Sequence, residues 1–173
     1  MKKEFKVIAE LLPNNIRVLD VGCGDGSLMD LLIKEKNIEA RGLDIKEEHV
    51  KKCIYKGLSV IEGNAETELN QFPDQSFDYV ILSQTLQAFY SPEKVLKDLL
   101  RVGKCAIVSI PNFGYWKVRT KLLFFGKMPV TKTLPNTWYN TPNLHMCTIT
   151  VSYTHLRAHE TVLDLVCRLL LEK

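Results

Sequence analysis

A chain of 173 residues, 46% of them hydrophobic and 25% charged, is long enough to bury one core, and its composition excludes the disordered and collagen-like classes. Its apolar runs fall well short of the roughly 20 residues that span a bilayer, and Glu4, Lys6 and Glu10 break up the apolar start, so a cytoplasmic protein is expected. The five cysteines stand singly with no C-x-x-C pair, so neither a zinc site nor a disulfide framework is expected, and no metal is assigned.

Residues 16–21 (IRVLDV) are a short β-branched run between PNN and a glycine-rich turn, the pattern of a buried parallel strand. From Ser27 the apolar positions Leu28, Leu31 and Leu32 take up a helical period that ends near Asn37. EARGLDI predicts a second strand, and KEEHVKKCIYKG a charged helix stopped by Gly57. LSVIEGN predicts a third strand, and FDYVILS at 77–83 a fourth. SPEKVLKDLLRVG then reads as a helix with Ser91 as N-cap and Pro92 at its first position, followed by KCAIVSIP as a fifth strand. Residues 111–147 predict one short helix around Trp116 to Phe125 and then an irregular loop.

Strand and helix alternate with no hairpin signal. That order predicts βαβ units, a parallel sheet and right-handed crossovers, a doubly wound α/β fold of the Rossmann-like kind. In such sheets ligands bind at the carboxyl ends of the strands, where the loop after the fifth strand is placed to form a roof.

The net charge of +3 conceals an asymmetry: residues 1–98 hold 13 Lys/Arg against 17 Asp/Glu, whereas residues 99–159 hold eight Lys/Arg and no acid. Such a stretch is either a solvated surface or a contact for an acidic partner. No nucleic-acid-binding motif accompanies it, so Lys117, Arg119, Lys121, Lys127 and Lys132 are assigned to a protein contact, with neither nucleic acid nor membrane expected as partner.

The turn in VLDVGCGDGSL lets backbone approach a ligand closely, and the helix after it offers free N–H groups and a positive dipole end. Its spacing is G-x-G-x-G rather than the dinucleotide G-x-G-x-x-G, and Asp20 and Asp25 would repel a pyrophosphate. A zwitterion with an ammonium or sulfonium centre would tolerate them. Asp44 ends the second strand, 20 residues after Gly24, where a carboxylate can accept hydrogen bonds from both ribose hydroxyls.

VLDVGCGDGSL, GLDI, GNAE and FDYVILSQTLQ resemble the successive motifs of class I S-adenosylmethionine-dependent methyltransferases over about residues 16–110. The resemblance implies that Gly22, Gly24 and Gly26 pack against the methionine part of S-adenosylmethionine, Asp20 lies beside its amino group and Asp44 holds the ribose. Asn64 or Glu66 would sit at the adenine edge, although the family commonly has Asp where this chain has Asn64. Ser83, at the end of the fourth strand, joins the candidate cofactor residues.

DYVILSQTLQA, VSIPNFGYWKVR and MPVTKTLPNTWYNTPNLHMCTI also resemble the methionine-biosynthesis protein W (MetW) family, to about Ile149. That resemblance implies a partner or activator of homoserine O-acyltransferase. The alternative is a methyltransferase acting on a small molecule. Methyl transfer needs mainly alignment, so a general base is optional. Ser83, Gln84, Thr85, Tyr115, Trp116, Tyr139 and His145 stand near the expected site, and each also has a plain role in packing, capping or loop hydrogen bonding. No catalytic residue is assigned, and Cys23 between glycines reads as a small filler.

From about Val151 the chain resembles translated sequencing-adapter read-through. A methyltransferase-like domain is therefore expected over 1–149 with a non-native tail over 150–173. The final two strands of the class I fold would then be missing, leaving the fifth strand as an open edge.

Overall fold

The computed structural model describes residues 3–126, together with 141, 144, 145 and 148. Its elements are α1 (Lys3–Leu11), β1 (Arg17–Val21), α2 (Ser27–Lys36), β2 (Glu39–Asp44), α3 (Glu47–Tyr55), β3 (Ser59–Glu62), α4 (Ala65–Glu68), β4 (Phe77–Ser83), α5 (Pro92–Val102), β5 (Gly103–Ser109) and α6 (Trp116–Phe125). The five strands form one parallel sheet in the order β3-β2-β1-β4-β5. The expected doubly wound α/β fold is present. The expected loss of the final two strands and the expected non-native tail both fall outside the described residues.

Each predicted element exists, with ends moved by a residue or two. Asn37 and Gly57 both adopt positive φ, 52° and 72°, at the ends of α2 and α3, which satisfies the last carbonyls without a clash. Ser91 holds the N-cap position of α5, but its side chain makes no cap bond. The carboxylate of Glu66 reaches in instead and accepts from Ser91 N at 2.7 Å. Helix α1, the short α4 and the 3₁₀ turns 69–71 and 86–88 have no counterpart among the sequence expectations.

β1 and β4 lie at the centre, buried on both faces. Leu19, Val21, Val80, Leu82, Ala106 and Val108 face α4 and α5, while Val18, Ile81 and Ile107 face α1 and α2. Side chains alternate faces along a strand, so Asp44, Asp20, Ser83 and Ser109 all stand on the α1–α2 face. They fall at or near the carboxyl ends of four neighbouring strands, β2, β1, β4 and β5.

Candidate functional site

The glycine turn leaves β1 with Gly22, Gly24 and Gly26 at φ of 73°, 59° and 72°, the left-handed region that L side chains avoid. Gly22 N donates to Leu43 O at 2.7 Å, tying the turn to β2. A Cβ at Gly22 would come within 2.7 Å of Thr85 Oγ1, and one at Gly26 within 2.5 Å of Leu58 Cδ1. A Cβ at Gly24 would meet nothing within 4 Å. Gly22 and Gly26 are thus constrained by packing, whereas Gly24 borders open space, a cradle that a ligand can fill.

Asp20 is 2% exposed and its Oδ1 has no hydrogen-bond partner. Burial first, and then the charges of Asp44 and Glu4, push its carboxyl from 3.8 up to about 7. A buried carboxylate costs free energy unless it is paired. An orphaned oxygen beside an open glycine turn therefore suits a ligand with a positive centre.

Asp44 is engaged on both oxygens. Oδ2 accepts from Gly24 N at 2.8 Å, Oδ1 accepts from Lys46 N at 2.9 Å, and His49 Nδ1 lies 3.1 Å from Oδ1. The predicted ribose residue thus also clamps the turn, and Oδ2 keeps an acceptor position in reserve. Asp25 turns away: its carboxylate accepts from Ser27 N at 3.2 Å and Ser27 Oγ at 2.7 Å, and Lys56 stands 3.5 Å away. The hydrogen bond from Ser27 holds it below the usual carboxylate range.

Asn64 caps α4, its Oδ1 accepting from Glu66 N at 3.0 Å. Ser83 Oγ donates at 2.9 Å to Glu4, a residue not among the sequence-predicted set. Glu4 also accepts from Gln84 Nε2 at 2.8 Å and from Ser109 Oγ. Gln84 sits at φ 50° and donates its backbone N–H to Ser109 O at 2.9 Å, which locks the loop after β4 onto β5. Leu144 N and His145 N donate to Gln87 O at 2.8 and 3.1 Å, so the far end of the expected roof reaches this loop. Tyr139 lies outside the described residues.

Cys23 is buried, and burial followed by the Asp20 charge pushes its thiol far above the ordinary range, which fits a filler and not a nucleophile. Among the described residues no group of three or more His, Cys, Asp or Glu could hold a metal ion, and no helix is long and apolar enough to cross a membrane.

The bifunctional methionine biosynthesis protein MetXA/MetW of Rhodopirellula baltica is 36% identical over 152 residues, which take in 82% of this chain and 24% of that protein. A demethylmenaquinone methyltransferase of Listeria welshimeri is 35% identical over 128 residues, 65% of this chain and 53% of that one. The chain thus spans about a quarter of the first relative's length and about half of the second's. Among solved structures, a SAM-dependent methyltransferase from Thermotoga maritima matches with a TM-score of 0.66 at 22% identity, over 90% of this chain and 67% of that one. At that identity the likeness is one of fold. The model of the methionine biosynthesis protein MetW matches residues 2–167. With that match over most of its length, on a sheet shared with SAM-dependent methyltransferases, the chain belongs to the MetW family of methionine biosynthesis proteins.

Proposed function

We propose that the chain binds S-adenosylmethionine at the carboxyl ends of β2, β1 and β4 and works as the regulatory partner of a homoserine O-acyltransferase. The observation that carries the cofactor reading is the unpartnered, buried Asp20 Oδ1 at the end of β1, just before a glycine turn whose Gly24 borders open space. In this reading Asp20 takes the amino group, Gly22, Gly24 and Gly26 shape the methionine pocket, and Asp44 holds the ribose. Asn64 or Glu66 sits at the adenine edge, and residues 1–149 form the methyltransferase-like domain. The partner reading is supported by the Rhodopirellula baltica relative, whose name joins MetXA and MetW in one bifunctional protein. A protein that senses the methyl donor could adjust synthesis of its precursor through such a partner.

The second reading, methyl transfer to a small molecule, draws support from the demethylmenaquinone methyltransferase relative. Copurification with a homoserine acyltransferase, together with a change in its turnover, separates the two. Consumption of S-adenosylmethionine by the isolated protein with a small acceptor would favour the enzyme.

Replacing Asp44 with Ala removes two charge-assisted hydrogen bonds to ribose, of order 1.5–3 kcal/mol each before compensation, and also frees the Gly24 N–H. Calorimetry should show at least about tenfold weaker binding of S-adenosylmethionine. Unchanged affinity would remove Asp44 from the site.

Arg119 and Lys121 are exposed on α6 beside the exposed Leu122, Leu123, Phe124 and Phe125, a pairing of charge and apolar surface that suits a protein contact. Reversing the charges at Lys117, Arg119 and Lys121 should cut acyltransferase capture about tenfold at low salt and flatten its salt dependence. Capture indifferent to both would place the contact elsewhere.

A further inference from the structure

A cavity of about 230 Å³ lies at the amino ends of β1, β2 and β3, the edge of the sheet opposite the glycine turn. Arg17 pairs in register with Glu39, and Arg41 with Ser59. Alternation along the strands puts these four on the face that carries Leu19 and Leu43, away from Asp20 and Asp44. The cavity is therefore separate from the cofactor site in both edge and face. Parallel strands are normally covered on both faces, yet Arg17, Glu39 and Arg41 are exposed here. The opposite wall is the segment after α4, where the rings of Phe72 and Phe77 meet edge to face at 5.8 Å.

Among the described residues the side chains of Arg17, Glu39 and Arg41 make no hydrogen bond or ion pair. Asp78, an acid at the same end of the sheet, is already engaged by Lys104 Nζ at 2.8 Å and by Arg17 N at 2.9 Å. Ser76 Oγ, on the cavity wall, is buried with no partner, a cost that a bound polar group would remove. Guanidinium forks match a carboxylate, a free carboxylate such as Glu39 accepts only from donors, and aromatic rings bury an apolar body. A phosphate or a simple carboxylate would leave Glu39 repelled, and a bare cation would leave both arginines unmatched. The volume lies below the roughly 300–1,000 Å³ of drug-sized sites, so the ligand is small. We infer that this cavity is a binding site for an α-amino acid with an apolar side chain. Arg17 and Arg41 take its carboxylate, Glu39 its ammonium, and Phe72 and Phe77 its side chain. The site does not depend on the cofactor reading, and membership of a methionine biosynthesis family makes L-methionine its first probe.

Calorimetric titration of the full chain with L-methionine, L-methioninamide, N-acetyl-L-methionine and inorganic phosphate tests the inference. Wild-type protein should bind L-methionine at least about tenfold more tightly than the amide, which lacks the carboxylate, or the acetyl form, which lacks the ammonium. Phosphate should bind more weakly still. Arg41→Ala should weaken L-methionine at least about tenfold, and Glu39→Gln should do so while leaving N-acetyl-L-methionine within about twofold of wild type. Both side chains are exposed, so melting temperatures equal to wild type show that the variants are folded. Asp20→Asn should leave L-methionine binding unchanged, which separates this cavity from the methionine end of the cofactor site. Wild-type protein that binds no L-methionine overturns the inference with no variant needed. So does binding that is lost in Asp20→Asn and kept in Arg41→Ala, since the amino acid then occupies the glycine turn. Phosphate bound as tightly as L-methionine, with Glu39→Gln indifferent, also overturns it and leaves a simple anion groove.

Discussion

At pH 8 the Asp20→Asn protein should melt at a higher temperature than the wild type and yet bind S-adenosylmethionine at least about 100-fold more weakly, the loss of a buried charge-assisted contact. Asp20 is 2% exposed with one oxygen unpartnered, and its carboxyl is raised to about 7 in the folded protein, by burial first and by Asp44 and Glu4 after it. In the unfolded chain the same group titrates near the ordinary value of about 3.9. Between those values the folded state binds the extra proton, so stability falls as pH rises through the window from about 4 to about 7, and stays at the lower level above it. The difference amounts to at most about 4 kcal/mol at pH 8. Asn has the same shape and no charge, so it relieves the cost while removing the partner for a ligand ammonium. Wild-type affinity should also fall towards tenfold per pH unit below about 7, because the ligand selects the ionised carboxylate. Calorimetric melting at pH 5 and pH 8 with ligand titration checks all three. A variant less stable at pH 8 with unchanged affinity would reverse the assignment of Asp20 as a strained binding group.

Gly26→Ala should destabilise the fold by about 3 kcal/mol, and Gly24→Ala by only about 1–2 kcal/mol. Both positions have positive φ, 72° and 59°, so each substitution carries the left-handed cost of an L residue. At Gly26 the new methyl would also lie 2.5 Å from Leu58 Cδ1 and 2.9 Å from Cys53 Sγ, and Leu58 and Cys53 are themselves buried. An overpacked core adds roughly 1–3 kcal/mol. At Gly24 the methyl meets no protein atom within 4 Å. Its effect should appear in ligand affinity, because it fills the space the cofactor is proposed to use. Denaturant midpoints for the two variants, beside calorimetry on Gly24→Ala, separate packing from binding. Equal losses of stability would mean that Leu58 and Cys53 give way freely, and that the tight fit at Gly26 does not support the turn.

Periodicity and glycine placement were enough to determine the five parallel strands, the helices α2, α3, α5 and α6, and the positions of Asp20 and Asp44 at strand ends, because those signals are local. Strands buried on both faces read as apolar runs, and a left-handed turn demands glycine wherever it occurs. The charges Glu4, Lys6 and Glu10 obscure the amphipathic stripe of helix α1, so local pattern does not predict it. Glu4 four residues before Ile8 was the available sign of an acid on the buried face. Tertiary structure alone decided which polar groups meet. Ser83 and Ser109 reach Glu4 across 79 and 105 residues, Glu66 supports the start of α5 across 25, and Gly24 N–H closes onto Asp44 across 20. It also decided that Lys56 comes to Asp25 while Asp20 keeps an oxygen without a partner. The physical reason is that a hydrogen-bond partner is set by where the crossovers return the chain in the β3-β2-β1-β4-β5 sheet. Backbone conformation follows from neighbours in sequence, whereas the burial and pairing of a carboxylate follow from neighbours in space.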